Sequence, residues 1–242
     1  MQADPTFDTM YRSERTNTGA VPWDIGGPQP VVQELVAHGA LRGEVLDPGT
    51  GPGHHAIYIA SQGYSTTGID ASPAAIDQAR RNAQRAGVTV DFRVADATGL
   101  AEFEGRFDTV VDSAFYHVFA HDEQMQARYI QALHRVTAPG ARLFMFELGR
   151  HNLNGLRFDG LPADNFKRIL DANGWRLDYL GTSTYIGDFG PRALDFLSQM
   201  DSDDGVAPQM KSLPEQLAAL EPLLENHRVH LPVWSVVASR RD

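Results

Sequence analysis

Val45-Leu46-Asp47-Pro48-Gly49-Thr50-Gly51-Pro52-Gly53-His54 decides the fold. A short apolar run enters three glycines at alternate positions, and a helical pattern starts at once. Glycine is required where a backbone must turn tightly or approach a ligand with no Cβ in the way. A dinucleotide site would use G-x-G-x-x-G to seat a pyrophosphate on the helix N-terminus. Here the spacing is G-x-G-x-G, and His54 stands where that pattern needs its third glycine. Asp47 would also be a poor neighbour for a diphosphate. A carboxylate at that point suits a cationic ligand end, such as an ammonium or a sulfonium.

Working outward, short apolar runs alternate with helical patterns, the mark of βαβ units and an α/β fold. Strands are expected at 44–47, 65–70, 89–94, 109–112 and 142–147, then at 175–185 and 231–238. Helices are expected from Val31 to Gly39, over 54–62, 73–86 and 122–136, and around Phe166–Leu170 ahead of Gly174. Ser72 and Pro73 supply an N-cap and a first helical residue, with Ile76, Ala79 and Ala83 on one face. The stretch from Ile186 to Leu224 reads as irregular, an insertion that would serve as a substrate lid. Residues 1–27 read as an N-terminal arm and cofactor lid, with residues 28–242 as the catalytic domain.

The 242 residues carry 42% hydrophobic and 21% charged side chains, enough apolar material for a sizeable core. A formal net charge of −10, without a Lys/Arg run, disfavours a nucleic-acid partner. The absence of cysteine excludes disulfides, thiolate metal sites and cysteine nucleophiles. No stretch approaches the ~20 apolar residues of a membrane helix, and residues 1–11 lack a signal-peptide core. The expected location is the cytoplasm, the expected state a monomer or weak homodimer.

Three further elements follow the glycine corner in order. Thr67-Gly68-Ile69-Asp70 ends a strand in a carboxylate about 20 residues past the loop, where it can accept from both hydroxyls of a ribose. Arg93-Val94-Ala95-Asp96-Ala97 puts an acid after the next strand, suited to an adenine amino group. Asp96 could equally be a solvated loop acid. Phe107-Asp108-Thr109-Val110-Val111-Asp112-Ser113 is a strand ending beside the expected reacting centre.

These elements, at these spacings from Val45 to Glu147, resemble the class I methyltransferases that use S-adenosylmethionine. The resemblance implies a three-layer, Rossmann-like fold with a seven-stranded, mostly parallel sheet whose last strand is antiparallel. It also implies that Asp47, Gly49, Gly51 and Gly53 line the methionine end. Asp70 with Ala71 would hold the ribose, Asp96 with Ala97 the adenine, and Asp112 and Ser113 would touch the cofactor beside the transfer site. S-adenosylhomocysteine is the implied product, and no metal is expected.

Pro22-Trp23-Asp24-Ile25-Gly26 and Asp112-Ser113-Ala114-Phe115-Tyr116-His117-Val118-Phe119 resemble the thiopurine-type and, more closely, the heterocyclic toxin methyltransferases that act on hydroxyquinolones. That finer resemblance implies that Trp23 and Gly26 close over the cofactor, and that Phe115, Tyr116 and His117 border a small aromatic acceptor. Trp23 could instead only anchor the arm. His117 is a candidate base, with an ordinary pKa near 6.5, or else a packing residue. A thiol, phenol or halide acceptor, an NAD-linked oxidoreductase and a non-catalytic cofactor-binding module are the alternative readings. The G-x-G-x-G spacing and His54 speak against the oxidoreductase.

Overall fold

The computed structural model describes residues 8, 11, 21–153, 160–194 and 224–242. One sheet holds β1 (Val45–Pro48), β2 (Thr66–Asp70), β3 (Asp91–Val94), β4 (Phe107–Ser113), β5 (Thr137–Leu148), β6 (Trp175–Asp188) and β7 (Arg228–Arg240). Their order is β3-β2-β1-β4-β5-β7-β6. Strands β1 to β5 run parallel, and β7 is antiparallel to both β5 and β6. This is the architecture expected from the sequence. The chain departs from β1 towards β2 on one side and later returns to β4 on the other. That reversal opens a crevice at the carboxyl ends of β1 and β4, where ligands of open α/β sheets bind.

Helices cover both faces: α1 (Pro30–Ala37), α2 (His54–Ser61), α3 (Pro73–Ala86), α4 (Glu123–Val136) and α5 (Ala163–Ala172). The alternation of a strand divides the core in two. Leu46, Val110, Leu143 and Met145 point to one face with Tyr129, Leu133, Phe166 and Trp175. Val45, Val111, Phe144 and Phe146 point to the other with Val32 and Ile59. Strand β1 is buried along its whole length, which explains its unbroken apolar run. The start of α3 is as expected: Ser72 Oγ accepts from Ala75 N, Pro73 follows, and left-handed Gly87 ends the helix. Asp122 caps α4 by accepting from Gln124 N and Met125 N, both at 3.0 Å.

The sheet extends beyond its predicted edges. Strand β5 starts at Thr137 rather than Arg142, and β7 at Arg228 rather than Leu231. Ile186, Gly187 and Asp188, read as the start of an insertion, complete β6 instead. They pair with His230, Val229 and Arg228. Half of this ribbon is polar and glycine-bearing, so its pairing leaves no apolar period to read. Residues 195–223, which hold most of the expected lid, lie outside the described residues, as does most of the arm. Among the described residues no helix is long and apolar enough to cross a membrane.

One side chain does the work of a strand. Gln29, almost wholly buried, donates through Nε2 to Ile186 O and accepts from Ile186 N through Oε1, each at 2.8 Å. Asp188 N donates to Pro22 O at 2.8 Å beside it. The segment before α1 is thereby stitched to the end of β6. Gln29→Ala leaves two backbone groups of that edge without partners and is expected to cost about 1–3 kcal/mol. Urea denaturation reads this, and a variant as stable as the parent would show that water replaces the amide.

Candidate active site

The site is built on the corner between β1 and α2. Gly49, Gly51 and Gly53 all have left-handed backbones, with φ of +67°, +51° and +83°. A Cβ on Gly49 would lie 2.2 Å from the Phe115 ring, and one on Gly53 would lie 2.7 Å from Phe92 and 2.9 Å from Ala79. The glycines therefore serve the turn and close approach together. Thr50 Oγ1 donates to Asp47 at 2.6 Å, and Gly51 N donates to Asp70 at 3.0 Å. The other oxygen of Asp70 accepts from Ser72 N at 2.9 Å, beside exposed Ala71. Asp70 thus ties the glycine loop to the turn after β2. In the turn after β3, Asp96 accepts from Thr98 N and Oγ1 at 2.9 and 2.8 Å, next to buried Ala97.

The N-terminal segment lies against this corner. Asp24 accepts from Gly26 N at 2.9 Å and bonds His54 Nε2 at 3.0 Å. Against the penalty of its own burial, the His54 bond holds Asp24 below the usual carboxylate range. His54, which argued against a dinucleotide loop, thus pins the Trp23–Gly26 turn. His55 beside it is pushed down to about 4 by burial and by His54, so it is neutral. Tyr11 takes a hydrogen bond from Trp23, and its hydroxyl lies 2.8 Å from the place of a Gly51 Cβ. Asp8 accepts from Ser72 Oγ at 2.8 Å. The pairings of Asp8 and His54 carry no sequence signal, since their partners lie 30 or more residues away in the chain.

The opposite wall is the turn after β4. Ala114 sits at φ +62°, a strained position for a residue with a Cβ. Phe115 makes edge contacts with Phe119 and Tyr129 at 5.6 and 5.4 Å. Ser113 Oγ lies 3.2 Å from Tyr185 Oη. Tyr116, expected beside the acceptor, is turned into the core. Its hydroxyl donates to Asn165 at 3.0 Å, and its ring packs against Tyr129 and Phe166. Packing took this residue because Tyr116–Phe119 is one tight turn with three residues per repeat, whose first and last side chains share the buried face. Buried Asp112 accepts from Tyr129 Oη at 2.8 Å and from Phe115 N at 3.1 Å. Glu147, which the sequence reading passed over, accepts from Phe115 N, Tyr116 N and His117 N at 3.0–3.1 Å. His117 Nδ1 lies 2.9 Å from Glu147 Oε2.

The electrostatics are one-sided. Among the described residues, Asp47, Asp70, Asp112 and Glu147 have no Lys or Arg ion-pair partner. Burial, with help from Asp112 and Asp70, pushes Asp47 up to about 7. Burial and the Glu147 charge push Asp112 far above its usual value. A cationic ligand would relieve this, whereas a diphosphate would worsen it. No group of three His, Asp or Glu residues is arranged to hold a metal among the described residues.

Comparison with known proteins agrees in kind. Residues 45–140 match the family model of a methyltransferase domain. A 2-heptyl-1-hydroxyquinolin-4(1H)-one methyltransferase of Mycobacteroides abscessus is 38% identical over 138 residues, which cover 56% of this chain and 60% of that protein. The chain thus spans about three fifths of the length of that curated relative. A structure solved for the conversion of a disulfide bond into a thioacetal group during echinomycin biosynthesis superposes with a TM-score of 0.75 and 28% identity, over 100% of this chain and 93% of the other. The Burkholderia thailandensis 1,6-didemethyltoxoflavin N1-methyltransferase, solved with 1,6-didemethyltoxoflavin and S-adenosylhomocysteine, shares the fold. Its TM-score is 0.55 at 19% identity, over 88% and 77% of the two chains.

The raised carboxyl of Asp47 has a consequence for stability. Its folded pKa of about 7 exceeds the ordinary carboxylate value of 3.8. Its contribution is therefore full below about pH 4 and is lost as pH rises through 7. Asp47→Asn removes that loss. The free protein should gain up to about 4 kcal/mol relative to the parent at pH 8 and little at pH 4, at ~1.36 kcal/mol per pKa unit. Urea denaturation at the two pH values measures this difference, and an equal gain at both would refute it.

Proposed function

We propose that this chain, whose residues 45–140 match the family model of a methyltransferase domain, transfers a methyl group from S-adenosylmethionine to a heteroatom of a small aromatic heterocycle. Oxygen is the first choice and nitrogen the second, with a 1-hydroxyquinolin-4-one as the type acceptor. The observation that carries the reading is the glycine corner itself: a buried carboxylate with no basic partner among the described residues faces three left-handed glycines.

The residues present fit that cofactor. Asp47 with Gly49, Gly51 and Gly53 would take its charged amino-acid end, Asp70 and Ala71 its ribose, and Asp96 with Ala97 its adenine. Trp23 and Gly26 would cover it. When bound, the cofactor supplies a sulfonium methyl, an electrophile that needs no activation. The chain then has to exclude water, orient an acceptor and receive a proton. Orientation of this kind can be worth about 7–11 kcal/mol. Phe115 and its edge-packed neighbours offer a flat apolar wall to one side. His117 is held below the usual histidine range by burial, so it is neutral and free to take a proton.

The 38% identity to a hydroxyquinolone methyltransferase supports a ring-borne N-hydroxyl as acceptor. The full-length likeness to the structure from echinomycin biosynthesis favours a second reading, in which the acceptor is a sulfur atom.

An acceptor panel of hydroxyquinolones, phenols, thiols and halide, run with isotopically labelled S-adenosylmethionine, tests the first reading. Label should enter the hydroxyquinolone, and His117→Ala should lower kcat about 10–100-fold, because an acidic hydroxyl needs only modest base assistance. Label in thiols alone would transfer the assignment to sulfur. Cofactor binding without turnover on any acceptor would leave a binding module.

A further inference from the structure

We propose that Glu147, at the carboxyl end of β5, is the positioning residue for His117. It holds Nδ1 of the imidazole and leaves Nε2 to receive the acceptor's proton. The role of Nε2 rests on the acceptor reading above, whereas the His117–Glu147 pairing does not.

Four hydrogen bonds from the Phe115–His117 turn converge on this one carboxylate. Oε1 accepts from Phe115 N and Tyr116 N, and Oε2 accepts from His117 N and lies 2.9 Å from His117 Nδ1. Glu147 is fully buried, while 31% of the His117 side chain is exposed. A nitrogen bonded to a carboxylate carries the hydrogen, so the tautomer is Nδ1–H and the lone pair sits on Nε2. Nε2 has no hydrogen-bond partner among the described residues. The basic nitrogen therefore lies on the accessible edge of the ring, and the anchored nitrogen lies inside.

The neighbouring carboxyl explains how a charge is tolerated there. Asp112 and Glu147 share a hydrogen bond, and burial raises both. Asp112 is raised much further, with Glu147 at about 7, so Asp112 keeps the shared proton and donates it. Tyr129 Oη donates to Asp112 Oδ2. Above about pH 7 the pair then carries one negative charge, on the carboxylate that touches the imidazole. Among the described residues Asp112 of β4 also acts on His117, and Tyr129 of α4 bonds Asp112.

The chemistry is a proton balance. The acceptor O–H bond breaks and its electron pair stays on oxygen, an N–H bond forms at Nε2, and the methyl group that oxygen gains would leave its former bonding pair on the cofactor's sulfur. The imidazolium sits against the Glu147 carboxylate, and its proton later leaves to solvent. Glu147 thus fixes the tautomer before the transfer and offsets the charge after it.

The experiment compares Glu147→Gln, Glu147→Asp, His117→Ala and the double variant Glu147→Gln/His117→Ala, with calorimetry of S-adenosylhomocysteine alongside. Glu147→Gln should lower kcat about 10–100-fold, as His117→Ala does, and the double variant should lose no more than either. Cofactor affinity should stay unchanged, and Glu147→Asp should recover part of the rate. The rise of kcat with pH should move to lower pH in Glu147→Gln, since the imidazole loses its anionic neighbour. Losses that multiply in the double variant, or full activity in Glu147→Gln, would overturn the proposal. Nitrogen-15 NMR of the histidine-labelled parent decides the pairing even if the Gln variant fails to fold. The His117 signal, assigned by its absence in His117→Ala, should report Nδ1–H, and an Nε2–H tautomer would overturn it. Inactivity toward every acceptor alongside an Nδ1–H signal would refute the acceptor reading and leave the pairing intact.

Discussion

Negative charge without a counter-charge, gathered at one end of the sheet, is the constraint on which this structure depends. Asp47, Asp112 and Glu147 are buried, Asp70 lies close by, and no lysine or arginine pairs with any of them among the described residues. At an effective dielectric of about 20, two unit charges 4 Å apart repel by about 4 kcal/mol. Native stability is only about 5–15 kcal/mol in total, so such charges cannot all stand together. The protein meets the conflict in two ways. On the β4–β5 side, two carboxyls share a proton and spend their lone pairs on the backbone of the Phe115–His117 turn. On the β1–β2 side, Asp47 and Asp70 take hydrogen bonds from Thr50, Gly51 and Ser72 and face a corner kept open by glycine.

Each wall of that corner is fixed by a clip between distant parts of the chain. Asp24–His54 fastens the N-terminal turn to the first turn of α2. Gln29–Ile186 fastens the following segment to the end of β6. Glu147 fastens the turn after β4 to the end of β5. All three are polar bonds made in partly or fully buried surroundings, where an unmade partner is costly. They place loop residues on a rigid sheet, as the proposed transfer, governed by orientation, would require.

Much of this was legible in the amino acids. The alternation of apolar strands with amphipathic helices carried the sheet, and Ser72-Pro73 carried the start of α3 to the residue. The glycine corner and the carboxylates after β1, β2 and β3 stand out because they lie next to strands in sequence. What escaped was non-local. The β6–β7 ribbon is polar along half its length, so nothing marked Ile186–Asp188 as strand. Tyr116 and His117 are adjacent and look alike as site candidates. Only the fold shows that one is turned into the core towards Asn165 and the other outward on a carboxylate. Glu147 did leave a trace, since an acid inside Phe144-Met145-Phe146-Glu147-Leu148 is rare in a buried strand unless it has partners.

The most direct measurement is a calorimetric titration with S-adenosylhomocysteine at pH 6.5, repeated in two buffers of different ionisation enthalpy. Binding accompanied by net proton release is expected, because the ligand's ammonium draws Asp47 into its ionised form. No affinity for this ligand, together with tight binding of a nicotinamide dinucleotide, would contradict the cationic-ligand reading of the corner.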